Sequence, residues 1–308
     1  MEKEYRTMVS AVDGLPIDVL ITRPEGKEKA VVQLAHGMCE YKERYLPFME
    51  YLSGNGYLCV INDHRGHGKS VRKPEDLGFF YEGGGPGLVE DLHQLTELIR
   101  QEYSDKPLYL IGHSMGSLAV RCYARKYDRD LDGLCVIGSP SANPAVGFGN
   151  ALMAVLIGLK GEHAYSNLLT GAFIDSFNKP FAAEGRKNAW LNTQPEQVDA
   201  YNNDPLCGFP FTLNGYKSLL YLLKETYDPA GWQMGRPELP VRFFSGGEDP
   251  CRVNDEKFWE AVNLMKQVGY ADTEGKLYSG LRHEILNEKE KATVFRDILA
   301  TLDGWLKK

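Results

Sequence analysis

Short apolar runs that alternate with stretches of helical periodicity constrain the fold more than any other feature of this 308-residue chain. Runs such as 30–35, 57–61 and 134–137 are almost continuously apolar, which is typical of strands buried on both faces of a parallel sheet. Between the runs, apolar residues recur every three or four positions, as at 88–103. This alternation predicts an α/β fold with a mostly parallel central sheet and helices on both faces.

Two regions depart from this alternation. Near the N-terminus, segments 5–12 and 17–23 flank an Asp-Gly-Leu-Pro turn, and this pattern predicts a hairpin. After Pro140 the rhythm is lost, and it returns with a clear helical pattern at 213–227. We therefore expect one core made of residues 1–142 and 213–308, interrupted by a helical cap at 143–212. We also expect the Gly-rich stretch 83–87 to be a loop.

The composition is that of a soluble globular protein, with 43% hydrophobic and 25% charged residues. A formal net charge of -7 gives no reason to expect nucleic-acid binding, which requires basic patches. The charged N-terminus lacks the apolar stretch of a secretory signal, so we expect a cytoplasmic protein.

Six scattered cysteines without a CxxC pair predict free thiols. The H-x-x-H spacing of His64 and His67 lacks a third ligand, so we expect a structural loop and neither a metal nor a cofactor.

The candidate nucleophile is Ser114, which lies in the sequence Gly-His-Ser-Met-Gly at 112–116. This sequence fits the G-x-S-x-G pattern, in which a sharp strand-to-helix turn exposes the serine and the glycines avoid clashes. The context matches, because an apolar strand at 108–111 leads into the motif and a helical pattern follows it. Since a serine hydroxyl is a weak nucleophile near neutral pH, it needs a base and a group that orients the base.

Both partners are predicted downstream of the serine. Asp249 follows the strand at 241–245, which places a carboxylate at the carboxyl end of a strand, where open α/β sheets carry their sites. The neighbouring Glu248 is an alternative, and Asp249 is the preferred acid. His283 lies in a loop between the last strand and the last helix and completes the chain order Ser, Asp, His. The other downstream histidine, His163, lies in the cap and fits poorly.

Acyl transfer also requires hydrogen-bond donors for the oxyanion. The backbone N–H of Met115 follows the nucleophile and opens a helix, whose N-terminus adds positive potential. The backbone N–H of Met38 follows a His-Gly pair at the end of an earlier strand. These two amides are the predicted oxyanion hole.

Five stretches of the sequence resemble the monoacylglycerol lipase and lysophospholipase-like group of α/β-hydrolases. They are His36-Gly37-Met38 with Glu40 and Arg44-Tyr45, Asp63-His64-Arg65-Gly66-His67-Gly68, Gly112-His113-Ser114-Met115-Gly116, Asp249-Pro250, and Arg282-His283-Glu284. The resemblance implies a Ser114–Asp249–His283 triad, an oxyanion hole from the Met38 and Met115 amides, and a cap that receives an acyl chain. The sequence departs from the family at Tyr41, where the family has His, and at Cys251-Arg252, where small residues are usual.

The predicted function is hydrolysis of carboxylic esters, of the monoacylglycerol lipase or lysophospholipase type, through an acyl-enzyme on Ser114. An amidase or peptidase on the same fold and a catalytically silent binding protein are the alternatives. The expected partners are an ester or lipid substrate and, transiently, a membrane surface that meets the cap. The apolar segment 151–159 with Leu168, Leu169 and Phe173 favours a hydrophobic lid that covers an acyl tunnel. The other interpretation is a small insert that closes a polar pocket.

Overall fold

The computed structural model describes residues 2–142, 146–173 and 175–307, apart from the side chains of 146–148, 172 and 173. The predicted cap boundary at 143 and the side chain of Phe173 lie outside the described residues. The strands are β1 (Glu2–Val9), β2 (Pro16–Arg23), β3 (Ala30–Ala35), β4 (Tyr57–Asn62), β5 (Leu108–His113), β6 (Gly133–Ile137), β7 (Val241–Gly246) and β8 (Thr273–Tyr278). The α-helices are α1 (Leu46–Gly54), α2 (Gly84–Glu102), α3 (Met115–Tyr127), α4 (Val146–Lys160), α5 (Asn167–Phe173), α6 (Pro195–Asn203), α7 (Leu213–Tyr227), α8 (Asp255–Gln267) and α9 (Lys291–Trp305).

Among the described residues, the strands form one eight-stranded sheet in the order β1-β2-β4-β3-β5-β6-β7-β8. The predicted hairpin pairs β1 with β2, and β2 pairs antiparallel with β4. Strands β3 to β8 are parallel, as the apolar runs predict. Because parallel strands end at the same edge of the sheet, the loops after β3, β5, β7 and β8 meet there.

Helices cover both faces of the sheet, and alternate strand residues face two separate cores. In β4, for example, Leu58 and Val60 belong to the core that also contains side chains of α2, α3, α7 and α8. Tyr57, Cys59 and Ile61 pack with side chains of α1 and α9 on the other face. Burial on both faces explains why the strands read as continuous apolar runs.

The prediction of a loop at 83–87 is wrong, because α2 begins at Gly84. The glycines are required by close packing. A Cβ atom on Gly85 would lie 2.8 Å from the carbonyl oxygen of Ser218, and one on Gly87 would lie 2.7 Å from the guanidinium carbon of Arg65. Pro86 fits the first turn, where a missing N–H costs nothing.

The described chain between β6 and β7 contains α4, α5, α6 and α7. Helix α4 packs against α7, which in turn packs on α2 and α3 of the core. After α5, short 3-10 helices at Asp175–Glu184 and Ala189–Leu191 precede α6. None of the helices in the described part of the chain combines the length and apolarity that a membrane crossing requires.

Candidate active site

Ser114 occupies a strained turn between β5 and α3. Its backbone angles of φ 54° and ψ −119° lie outside the regions that L-residues ordinarily adopt, and its N–H donates to the carbonyl of Ile137 at 2.9 Å. Glycines make the turn possible. A Cβ atom on Gly112 would lie 2.3 Å from the carbonyl of Gly116, and one on Gly116 would lie 2.2 Å from the carbonyl of Ala35.

Asp249 and His283 form a buried hydrogen-bonded pair beyond the ends of β7 and β8. His283 Nδ1 lies 2.9 Å from Asp249 Oδ2, while Asp249 Oδ1 accepts the N–H of Cys251 at 2.8 Å. Burial raises the pKa of Asp249, but the charge and hydrogen bond of His283 and the Cys251 amide outweigh burial and lower it. Because an ionised carboxylate holds the proton on Nδ1, the Nε2 atom of His283 is left as a base. Glu248 is exposed and makes no such pair.

A cavity of about 240 Å³ brings several of the predicted residues together. Ser114, His283 and Met38 all line it, and Asp249 lies behind His283. Met115 is buried outside the cavity lining, and its backbone N–H belongs to the first turn of α3, where N–H groups have no intrahelical partner. His163 stacks on Phe79 at 3.8 Å and does not line this cavity.

The loop that carries Met38 is fixed against the serine turn. A Cβ atom on Gly37 would lie 3.2 Å from Ser114 Cβ, and the Gly37 N–H donates to Glu40 Oε1 at 2.6 Å. The chain between β6 and β7 holds the same loop, since Cys39 O accepts hydrogen bonds from the Tyr201 hydroxyl and the Gly208 N–H, each at 2.9 Å. These contacts fix the peptide that contains the Met38 amide.

Buried charges connect this loop to the serine and histidine loops. Arg44 pairs with Glu40 at 2.6 Å and forms two hydrogen bonds with Glu284, the neighbour of His283. Burial raises the pKa of Glu40, but Arg44 and His113 outweigh it and hold that pKa well below its ordinary value. The buried carboxylates of Glu40 and Glu284 are both neutralised by the guanidinium of Arg44.

His113, which precedes the serine, donates hydrogen bonds from both ring nitrogens. Its Nε2 lies 3.2 Å from the carbonyl of His283, and its Nδ1 lies 2.8 Å from the Tyr45 hydroxyl, whose proton goes to Glu40. Two donated hydrogen bonds require the protonated ring. Burial lowers the pKa of His113, but the hydrogen bond and charge of Glu40 raise it above the ordinary value.

Three residues of the site were assigned no role by the sequence reasoning. Trp190 lines the cavity, and its ring centroid lies 4.8 Å from that of His283. Tyr201 holds the Met38 loop, and Glu284 binds Arg44. Trp190 and Tyr201 lie in the irregular chain between β6 and β7, where no motif marks them. Glu284 lies beside the predicted base, and its place in an Arg-His-Glu sequence is the one signal that could have drawn attention to it.

The cysteine and histidine side chains that cluster near the site are buried, and their contacts indicate structural roles. Among the described residues, the ligand atoms close enough to share a metal ion are those of Asp249, Cys251 and His283, all within 4.8 Å. Asp249 and His283 already bind each other, and burial and the Asp249 charge raise the pKa of Cys251 well above its ordinary value, which keeps the thiol protonated. His64 and His67 are fully buried and pack around His36 instead of converging on one point.

The fold and the site together define the class of protein. A strained serine at a strand-to-helix turn, followed along the chain by a carboxylate and a histidine at neighbouring strand ends, is the arrangement of an α/β-hydrolase. Residues 26–290 match the family described as serine aminopeptidase, S33, and the chain belongs to this family.

Curated relatives and solved structures agree with this class. The chain is 27% identical to a monoacylglycerol lipase of Mycolicibacterium smegmatis, over 94% of this chain and 93% of the relative. It is 27% identical to the monoglyceride lipase of Mus musculus, over 96% of this chain and 88% of the relative. A thermostable carboxyl esterase from Bacillus coagulans in complex with glycerol superposes with a TM-score of 0.92, at 24% identity and 99% coverage of both chains. The predicted fold class and the predicted resemblance are confirmed.

Proposed function

We propose that this protein hydrolyses carboxylic esters of the monoacylglycerol or lysophospholipid type through an acyl-enzyme on Ser114. One observation carries the proposal: His283, which is paired with the buried Asp249, lines the same cavity as a serine held in a strained turn. The names of the curated relatives, which are lipases, favour esters over the amides that the family name suggests.

The chemistry follows from the positions of the groups. His283 Nε2 takes the proton of Ser114 as its hydroxyl oxygen attacks the ester carbonyl, and the ionised Asp249 stabilises the imidazolium that forms. The amides of Met38 and Met115 receive the oxyanion, each contributing roughly 10²–10³ in rate. The imidazolium then protonates the departing alcohol. In the second step His283 deprotonates a water molecule, which hydrolyses the acyl-enzyme and releases the acid and free Ser114.

The triad is tested by Ser114→Ala. We expect the variant to lose at least about 10⁴-fold in kcat on p-nitrophenyl esters and to lose labelling by a fluorophosphonate probe. Thermal unfolding of the variant provides the control for folding. Normal ester cleavage by the variant would overturn the assignment, and a folded wild-type protein that takes no label would favour a catalytically silent binding protein.

The ester preference needs a separate comparison. We expect kcat/KM for esters to exceed kcat/KM for amino-acid arylamides by orders of magnitude, whereas the reverse order would favour the amidase or peptidase alternative. We also expect kcat/KM to rise along a series of acyl esters from acetyl to longer chains, because residues 143–212 act as a cap over the acyl chain. A steep maximum at acetyl would contradict an acyl tunnel.

The cap also supports a proposal about location. Val155, Leu159 and Leu168 expose 58%, 78% and 71% of their surface, and transient contact with a lipid surface would cover apolar side chains of this kind. Co-sedimentation with phosphatidylcholine vesicles tests this contact, and loss of binding in Leu159→Glu is the expected result. The six cysteines are buried and free, which supports a cytoplasmic location.

A further inference from the structure

Two side chains of opposite charge, Lys187 and Asp175, line the catalytic cavity. Both are exposed, which places them at the cavity mouth. The ion pairs among the described residues include neither of them. The other carboxylates of the lining, Glu40 and Glu284, are both bound to Arg44. Lys187 and Asp175 are therefore the charged groups of the lining that are available to a substrate.

The chain that carries Lys187 is held in place by a pair of asparagines. Asn188 is buried and adopts the left-handed conformation, with φ 58° and ψ 23°. Its side-chain amide donates to Asn202 Oδ1 at 2.8 Å, and the Asn202 amide donates to the carbonyl of Lys187, also at 2.8 Å. Because Asn202 belongs to α6, the backbone of Lys187 is fixed before any substrate arrives.

The Lys187 charge acts on the cavity wall. Burial raises the pKa of the Cys39 thiol well above its ordinary value, and the Lys187 ammonium opposes that shift. Cys39 lies in the loop that carries the Met38 amide and lines the same cavity. The positive charge of Lys187 therefore acts on Cys39, a group beside the site where the ester carbonyl would be attacked.

A neutral glycerol leaving group carries no charge that could pair with these two side chains, whereas a zwitterionic head group carries one charge for each of them. Building on the proposed ester hydrolysis, we propose that Lys187 binds the phosphate and Asp175 the terminal ammonium of a zwitterionic lysophospholipid. The ester bond that breaks is the one between the acyl group and the glycerol oxygen. That oxygen takes its proton from His283, and the glycerophosphodiester leaves intact.

The test compares substrates that share one acyl chain. Hydrolysis of lauroyl lysophosphatidylethanolamine and of lauroylglycerol is followed below the micellar concentration of each, and the ratio of the two kcat/KM values is compared between variants. We expect Lys187→Met to lower this ratio about tenfold, the effect of losing one charge-assisted hydrogen bond. Lys187→Arg should restore most of the ratio, because the arginine keeps the charge.

Lys217→Met is the matched control, since this exposed lysine pairs with Glu162 and does not line the cavity. We expect the control to keep the wild-type ratio. Asp175→Asn should lower kcat/KM for the ethanolamine substrate relative to lauroyl lysophosphatidic acid, which has a phosphate and no ammonium. An unchanged ratio in Lys187→Met would overturn this inference while leaving ester hydrolysis standing. A wild-type protein that cleaves none of the three esters would overturn both proposals.

Discussion

The most informative single residue outside the predicted triad is Trp190. Its indole packs against the imidazole of His283, on which a positive charge forms in the proposed mechanism when Ser114 loses its proton. An aromatic face near a cation contributes roughly 0.5–2 kcal/mol. The chain between β6 and β7 therefore contacts the proposed base itself as well as lining the cavity.

We expect Trp190→Leu to lower kcat/KM by about three- to thirtyfold, because the developing imidazolium loses its aromatic neighbour. Trp190→Phe should retain most of the activity, since a phenyl ring keeps the aromatic face. Trp259→Leu is the control, because Trp259 is 42% exposed on α8 and packs on Phe258, away from the cavity. Steady-state kinetics on one ester measure all three variants, and equal activity of the Leu and Phe variants at position 190 would contradict the role.

The sequence predicted the residues that stand in motifs and missed those that do not. Ser114, Asp249 and His283 follow strands, and chain order alone suggests that they meet. Trp190 has no motif around it, and its position depends on how the cap folds over the sheet. Side-chain contacts between distant segments of this kind carry no local signal in one sequence.

At the scale of elements, close approach between strand and helix decides the geometry of the serine turn. Helix α3 crosses β3 at Gly116, where a Cβ atom would lie 2.2 Å from the carbonyl of Ala35. We expect Gly116→Ala to lower the free energy of unfolding by about 1–3 kcal/mol, because the added methyl group separates α3 from the strand. Ester hydrolysis should fall as well, since Ser114 sits at the start of that helix.

Gly304→Ala is the matched control for this variant. Gly304 lies within α9, and a Cβ atom there meets nothing within 4 Å. Alanine is the better helix former, so this change should raise the free energy of unfolding by up to about 1 kcal/mol. Denaturant unfolding measures both variants, and an equal or higher stability of Gly116→Ala would refute the packing argument.

Close packing also explains why the residues predicted to form a loop at 83–87 include the start of helix α2. Glycine clusters usually mark loops, and the pattern at 83–87 predicts one. In the structure, Gly85 and Gly87 let α7 and Arg65 approach the helix backbone. Whether a glycine serves a turn or a close contact depends on a partner far along the chain, and the local sequence does not distinguish the two.

At the scale of the whole molecule, the order of strands and helices in the core was predictable, whereas the contacts that the described residues of 143–212 make with the core were not. The core follows from alternating apolar periodicity, which is a local property. Residues 143–212 were predicted to form a cap only because that alternating periodicity stops there. Their contacts with Arg282, which pairs with Glu184 and donates to the carbonyl of Ala189 at 2.7 Å, are tertiary.

Buried histidines make the stability of the whole fold depend on pH. Burial lowers the pKa of His36 and of His67 to about 3, with the neighbouring histidines adding to the effect. An unfolded histidine has a pKa of about 6.5. Between pH 6.5 and 3 the unfolded chain therefore binds protons that the folded chain does not, and the free energy of unfolding falls as the pH is lowered.

Each such histidine contributes a slope of up to about 1.4 kcal/mol per pH unit in that window. We expect His67→Gln to reduce the slope by up to about 1.4 kcal/mol per pH unit, because Gln does not titrate and its amide occupies a similar position. Urea unfolding at pH 7, 6 and 5 gives the slope for each protein. An unaltered slope in His67→Gln would mean that His67 is protonated in the folded state, in conflict with its burial among three phenylalanine rings.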